Sequence, residues 1–196
     1  MTTADYGIVE VVRSISSILV ILYPLGLDSA LARYYFDYKD VAKLKEYIFT
    51  IVLGITVLGL LVTLLLDLSG NFFFPLWIKD IQFNPYIRLT LWTSFFFVLP
   101  ASFLILLQVQ EKSFKYIILQ LLQAILLFGL IIYFVVYLKG GAYGQIKARF
   151  FATLSVATLS LYLFSKYAKL SFQWKEYTSS LKYGLPITIH SLSWWI

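Results

Sequence analysis

The sequence predicts an all-α fold, a polytopic transmembrane helix bundle, on three observations. Five runs of about 20 apolar residues, each almost free of charge, occupy most of the 196 positions. Hydrophobic residues make up 60% and charged residues 13%, where a soluble domain carries about 25% charge. The runs are too long for barrel strands and show no alternation. A hydrocarbon core of about 30 Å takes about 20 helical residues. Helices are then the way these runs satisfy their backbone groups in lipid.

In order, the spans read as 8–27, 47–66, 87–109, 116–138 and 145–165, with a partial sixth over 183–196, all in one transmembrane domain. Pro24-Leu-Gly26 ends or kinks the first span, because proline removes a donor and glycine is a poor helix former. Asp28-Ser29 is then expected to cap a short interfacial helix, Ala30 to Tyr38. The polar stretch Asp67 to Asn71 is expected to end the second span. Phe72 to Ile78 is then too short to cross and is expected at the interface. Pro100 is expected to kink the third span without ending it, since apolar residues continue beyond it. Lys139-Gly-Gly141 closes the fourth. The sixth run offers 14 residues, roughly 21 Å of helix, too little to span.

Loop charge orients the bundle. The segments 28–46, 110–115 and 166–182 hold ten basic residues, among them Lys43, Lys112 and Lys175. The opposite side holds five: Lys79, Arg88, Lys139, Lys147 and Arg149. The richer side is assigned to the cytoplasm. The net charge of +6 therefore serves orientation and anionic headgroups and does not point to nucleic acid. Residue 1 then lies outside. With no signal peptide ahead of it and an end inside a span, the chain is expected to be a fragment.

Polar residues inside the spans are the candidate functional groups, because ionisable groups there usually face a bundle interior or a wet cavity. Glu10, Arg13, Ser14 and Ser17 share one arc of the first helix, and Gln145, Arg149, Thr153 and Ser160 share one arc of the fifth. Thr90, Thr93, Ser94 and Gln108 form a looser stripe on the third; Tyr116, Gln120 and Gln123 share a face of the fourth. One reading makes these the lining of a cationic cavity in which Arg13 and Arg149 meet an anionic substrate, with Glu10, Ser17, Gln120 and Gln123 beside them. The other pairs Glu10 with Arg13 one turn away, lets the arginines snorkel, and makes the glutamines interhelical bonds. Thr56, Gly59 and Thr63 read as a close-packing face. His190 is either a proton relay or a packed histidine.

Catalysis finds no support: there is no phosphate loop, no paired carboxylates at helical spacing within a span, and no nucleophile–base set. With no cysteine and one histidine, neither a metal site nor a cofactor is called for.

Asp5-Tyr-Gly7, a Ser-rich span, and Leu25-Gly-Leu-Asp-Ser-Ala-Leu-Ala-Arg-Tyr-Tyr-Phe36 together resemble the second-helix region of bacterial oligosaccharide flippases. These are the Wzx-like polysaccharide transporters of the multidrug/oligosaccharidyl-lipid/polysaccharide (MOP) superfamily. Gln110-Glu-Lys112, Gly140-Gly-Ala-Tyr-Gly144 and Lys182-Tyr-Gly-Leu-Pro186 resemble that family's short connections and the beginning of its seventh helix. The resemblance implies helices two to six of a 12–14-helix protein, with the seventh beginning and the C-terminal half missing. It also implies flipping of an undecaprenyl-pyrophosphate-linked oligosaccharide across the bacterial inner membrane, for surface polysaccharides such as the O-antigen of lipopolysaccharide. The implied partners are that lipid-linked glycan, membrane lipids and the missing half; coupling to protons or sodium stays open. Two other readings stand beside it: a drug or cation antiporter of the same superfamily, for which Glu10 is the lone acidic candidate in a span, and a non-transport membrane scaffold.

Overall fold

The computed structural model describes residues 2–78 and 81–193. Lys79 and the last three residues of the sixth run, 194–196, lie outside the described residues. Among the described residues, seven α-helices follow one another: α1 (Thr3–Leu22), α2 (Leu27–Tyr34), α3 (Val41–Trp77), α4 (Arg88–Val109), α5 (Ser113–Ile131), α6 (Gly141–Phe164) and α7 (Trp174–Ser193). A tight turn, Tyr35–Asp37, extends α2; wide turns, Phe83–Ile87 and Ile132–Tyr137, lead into α4 and out of α5. Among the described residues, four stretches are long and apolar enough to cross a membrane: α3, α4 and α5 with their wide turns, and α6. The bent pair Thr3–Leu22 and Leu27–Asp37 makes a fifth when counted as one span.

α4 is the central helix and packs against α1, α3, α5 and α6. Close approach to α6 is possible because that helix presents small residues, Ala148, Ala152, Ala157 and Ser160, all buried. A Cβ added at Gly59 of α3 would lie 3.1 Å from the Phe95 ring and 3.7 Å from Tyr23, and Thr63 is fully buried, so the small-residue face is a packing surface. α5 lies outermost, with Leu119 its one buried side chain among the described residues. Its other apolar residues, such as Ile125 and Phe128, face outward where lipid would be.

Both ends of the bundle are tied by polar contacts between loops. At one end Asp5 caps α1, accepting from Thr2 N at 2.7 Å, and also accepts from Ala142 N at 3.1 Å, joining the beginnings of α1 and α6. At the other end Lys169 meets Glu46 at 2.7 Å, Tyr38 donates to Glu176 at 2.7 Å, and Lys112 lies 4.6 Å above the Tyr167 ring. The three basic segments of the sequence therefore gather at one end. There the Glu46 carboxylate holds the Lys169 ammonium above its ordinary pKa.

Four local expectations are corrected. α3 does not end at Asp67 to Asn71; it runs 37 residues to Trp77, roughly 55 Å of helix. The helix continues through this stretch without a break. Asp67 pairs with Arg88, Ser69 donates to Leu65 O at 2.6 Å, and Gly70 lies under the Phe83 ring. Phe72 to Ile78 is accordingly the continuation of α3, ending at Trp77, and not a separate interfacial segment. Asp28-Ser29 does not cap an interfacial helix either. α2 begins at Leu27 behind Gly26, Asp28 accepts from Ser29 N at 2.8 Å inside the first turn, and Leu27, Ala30 and Leu31 are fully buried. α7 begins at Trp174, nine residues before the expected Tyr183, and Pro186 lies inside it. The polar stretch before Tyr183 is helical because Tyr177 and Ser180 pack against Gly54 and Tyr47 of α3.

Candidate functional site

α1, α4, α5 and α6 line an open cavity of about 390 Å³. Arg13, Ser16, Ser17 and Val20 come from α1, Thr93 and Phe97 from α4, Gln123 and Leu127 from α5, and Arg149, Ala152 and Thr153 from α6. A smaller recess continues from it past Arg149 to Gln145 and Thr90. The helical period explains the convergence. Residues three or four apart share a face, so Arg13, Ser16, Ser17 and Val20 project from α1 together, as do Arg149, Ala152 and Thr153 from α6. The register between those two helices is set at their N-terminal ends by Asp5 on Ala142 N. Ser16 and Ser94, 2.8 Å apart, fix α1 against α4 beside the cavity.

The site carries net positive charge. Glu10 lies 3.7 Å from Arg13, and Arg149 interacts electrostatically with both Arg13 and Glu10. One carboxylate thus stands against two guanidinium groups. Arg13 stays largely accessible, its side chain 66% exposed, while Arg149 is half-buried. Around them, Thr93 and Thr90 donate to carbonyls of their own helix, Leu89 O and Tyr86 O, which leaves their oxygens facing the space as acceptors. Gln123 adds both a donor and an acceptor.

Four of the six residues expected at a site, Arg13, Arg149, Ser17 and Gln123, line this cavity. Glu10 reaches it through Arg13. Gln120 is exposed and donates to Tyr116 Oη at 3.2 Å; it is not among the lining residues. Lys147 lies 4.4 Å over the Tyr143 ring, and His190 is exposed on α7. Asp28 was missed as a carboxylate within the bundle. The signal available was the apolar sequence resuming after Pro24 to Gly26, which carries Leu27, Ala30 and Leu31 into the core.

Apolar spans around a largely apolar cavity into which two arginines, hydroxyls and an amide project define the class: a polytopic, all-α membrane protein. The chain belongs to the family described as "Polysaccharide biosynthesis protein", whose model matches residues 1–196. No curated protein matches the chain in sequence. Among solved structures it is similar to a multidrug resistance MATE family transporter of the MOP superfamily in an outward-facing conformation. The TM-score is 0.73 at 21% identity, over 97% of this chain and 45% of the other. At that identity the likeness is one of fold, and the chain spans less than half of that transporter's length.

Proposed function

We propose that this chain forms part of a transporter that moves a lipid-linked oligosaccharide, carried on a polyprenyl pyrophosphate, across the bacterial inner membrane for surface polysaccharide synthesis. The observation that carries the reading is the convergence of Arg13 and Arg149, from two separate helices, on one cavity, with the Glu10 carboxylate 3.7 Å from Arg13. Family membership supplies the link to polysaccharide. A pyrophosphate moving through a low-dielectric region costs several kcal/mol unless its charge is met. Guanidinium groups meet it with paired, charge-assisted hydrogen bonds, which an ammonium does less well. Ser17, Thr93, Thr153 and Gln123 are suited to the sugar hydroxyls that follow. Glu10 orients Arg13 and keeps the cavity from holding its anion too tightly to release.

The test uses the full-length protein in cells that depend on it for surface polysaccharide. Arg13→Ala and Arg149→Ala should each cut surface polysaccharide while membrane abundance stays near that of the parent. A charged hydrogen bond contributes about 1.5–3 kcal/mol, so substrate affinity should fall roughly 10–100-fold. Arg→Lys should restore part of the loss, and Glu10→Gln should have the smaller effect. Parental export by both alanine variants overturns the cavity role and leaves Glu10 and Arg13 as a snorkelling pair.

A further inference from the structure

A separate groove, about 600 Å³ in volume, lies between α3 and the end of α6. Phe49, Val52 and Leu53 form one wall, Leu161 and Phe164 the other. The gap exists because α3 and α6 each pack against α4 and, among the described residues, make little contact with one another. Thr56 also lines it, but its hydroxyl donates to Val52 O at 2.7 Å, so the walls stay apolar in character. The mouth is polar, and the chain after α6 builds it. Lys169 N donates to Lys45 O at 3.1 Å and Gln173 N to Thr50 Oγ1 at 3.0 Å, which straps this segment across the first turns of α3. Lys169 lines the groove there. Its ammonium meets Glu46 Oε1 at 2.7 Å and its side chain stays 58% exposed; an ammonium carries three donors. Lys166 follows the lining Ser165 and lies 5.0 Å over the Tyr162 ring, and Lys45 is exposed on α3. Three lysines thus stand at the mouth with Glu46, and Asp40 is the other carboxylate in electrostatic reach of Lys169.

We infer that this groove holds one anionic phospholipid from the leaflet at the basic end of the bundle. One acyl chain lies between α3 and α6, and the phosphate meets Lys169, Lys166 and Lys45. The groove cannot select its occupant by the tail, because bulk lipid chains are as apolar as its walls. Selection falls to the headgroup, which each nearby lysine favours when its net charge is negative. A zwitterionic head loses that advantage, since its own cation is repelled by the same lysines. The seated lipid bridges α3 and α6 where they do not touch, so its binding should also raise the melting temperature.

The full-length protein in phosphatidylcholine nanodiscs is given a trace of phosphatidylglycerol with a photoreactive acyl chain, and cross-linked peptides are mapped by mass spectrometry. Cross-links should fall within 49–56 and 161–170, and the matching phosphatidylcholine probe should label them about tenfold less. Lys166→Gln combined with Lys169→Gln should lower labelling by phosphatidylglycerol about fivefold or more. Lys175→Gln, exposed at the same end but outside the groove, should leave it unchanged. Leu161→Trp fills the slot from an exposed position and keeps every lysine; it should abolish labelling, and it decides if the double lysine variant is not monodisperse. Equal labelling by the two lipids overturns the proposal, as does unchanged labelling in Leu161→Trp or an equal loss in Lys175→Gln. Absence of cross-links from the groove, as when another protein segment fills it, overturns it too. Labelling is read without glycan, so it can fail while the export reading stands, and export can fail while the lipid still binds.

Discussion

Asp67 shows how one residue can decide the length of a helix. Its side chain is 9% exposed and lies 2.8 Å from Arg88 Nε, with Arg88 Nη2 donating to the second oxygen at 3.0 Å. A paired carboxylate of this kind can remain within a helix that its sequence context would otherwise end. Removing the partner leaves a nearly buried charge, at a cost of about 3–5 kcal/mol for pairs of this type. Arg88 is half-exposed, so the lower part of that range is expected. Arg88→Ala should therefore lower the thermal midpoint of the purified protein by several degrees. Adding Asp67→Asn should recover much of the loss, as read by fluorescence melting; no recovery would mean that Arg88 acts through packing alone.

At the scale of elements, the junction between the α1–α2 break and α7 depends on two glycines. Gly26 has φ +71° and its α-carbon side lies against the backbone of Gly184, so an added Cβ would strike the Gly184 carbonyl. At Gly184 an added Cβ would lie 2.5 Å from Leu25 O and 2.6 Å from the Gly26 carbonyl carbon. Neither clash is with a flexible side chain, so a whole helix must shift. Gly184→Ala should cost at least the 1–3 kcal/mol typical of overpacking, about that figure where relaxation is easy. Gly26→Ala adds left-handed strain to the same clash. Both variants should show a lower melting temperature and faster proteolysis in the loop between α6 and α7. Gly129→Ala, where nothing lies within 4 Å, should match the parent.

For the whole molecule, the gathering of basic loops at one end makes membrane orientation a single yes-or-no question. Lys175 and Lys139 are both exposed and lie at opposite ends of the bundle. The sequence contains no cysteine, so single cysteines can be introduced without a background. In whole cells an impermeant thiol reagent should label Lys139→Cys and should reach Lys175→Cys only after permeabilisation. The reverse pattern would invert the bundle and place the Arg13–Arg149 cavity nearer the cytoplasmic side.

Apolar run length, loop charge and helical period by themselves determined the all-α membrane fold, the charge asymmetry of its loops and the polar arcs on its helices. All three are local properties, because the bilayer sets helix length and the 3.6-residue repeat sets which side chains share a face. That is why Arg13, Ser17, Gln123 and Arg149 were legible as candidates one helix at a time. Only the tertiary structure decided which arcs face one another: Gln120 shares an arc with Gln123 yet bonds to Tyr116 outside the cavity. It also decided that Asp67 stays helical, that α7 starts at Trp174, and that Asp28 lies within the bundle. Each of these depends on a partner far along the chain, Arg88 for Asp67, Gly54 and Tyr47 for α7, and Gly184 for the break. A polar or turn-forming residue read alone signals an end, and only a distant contact that satisfies it can reverse that outcome.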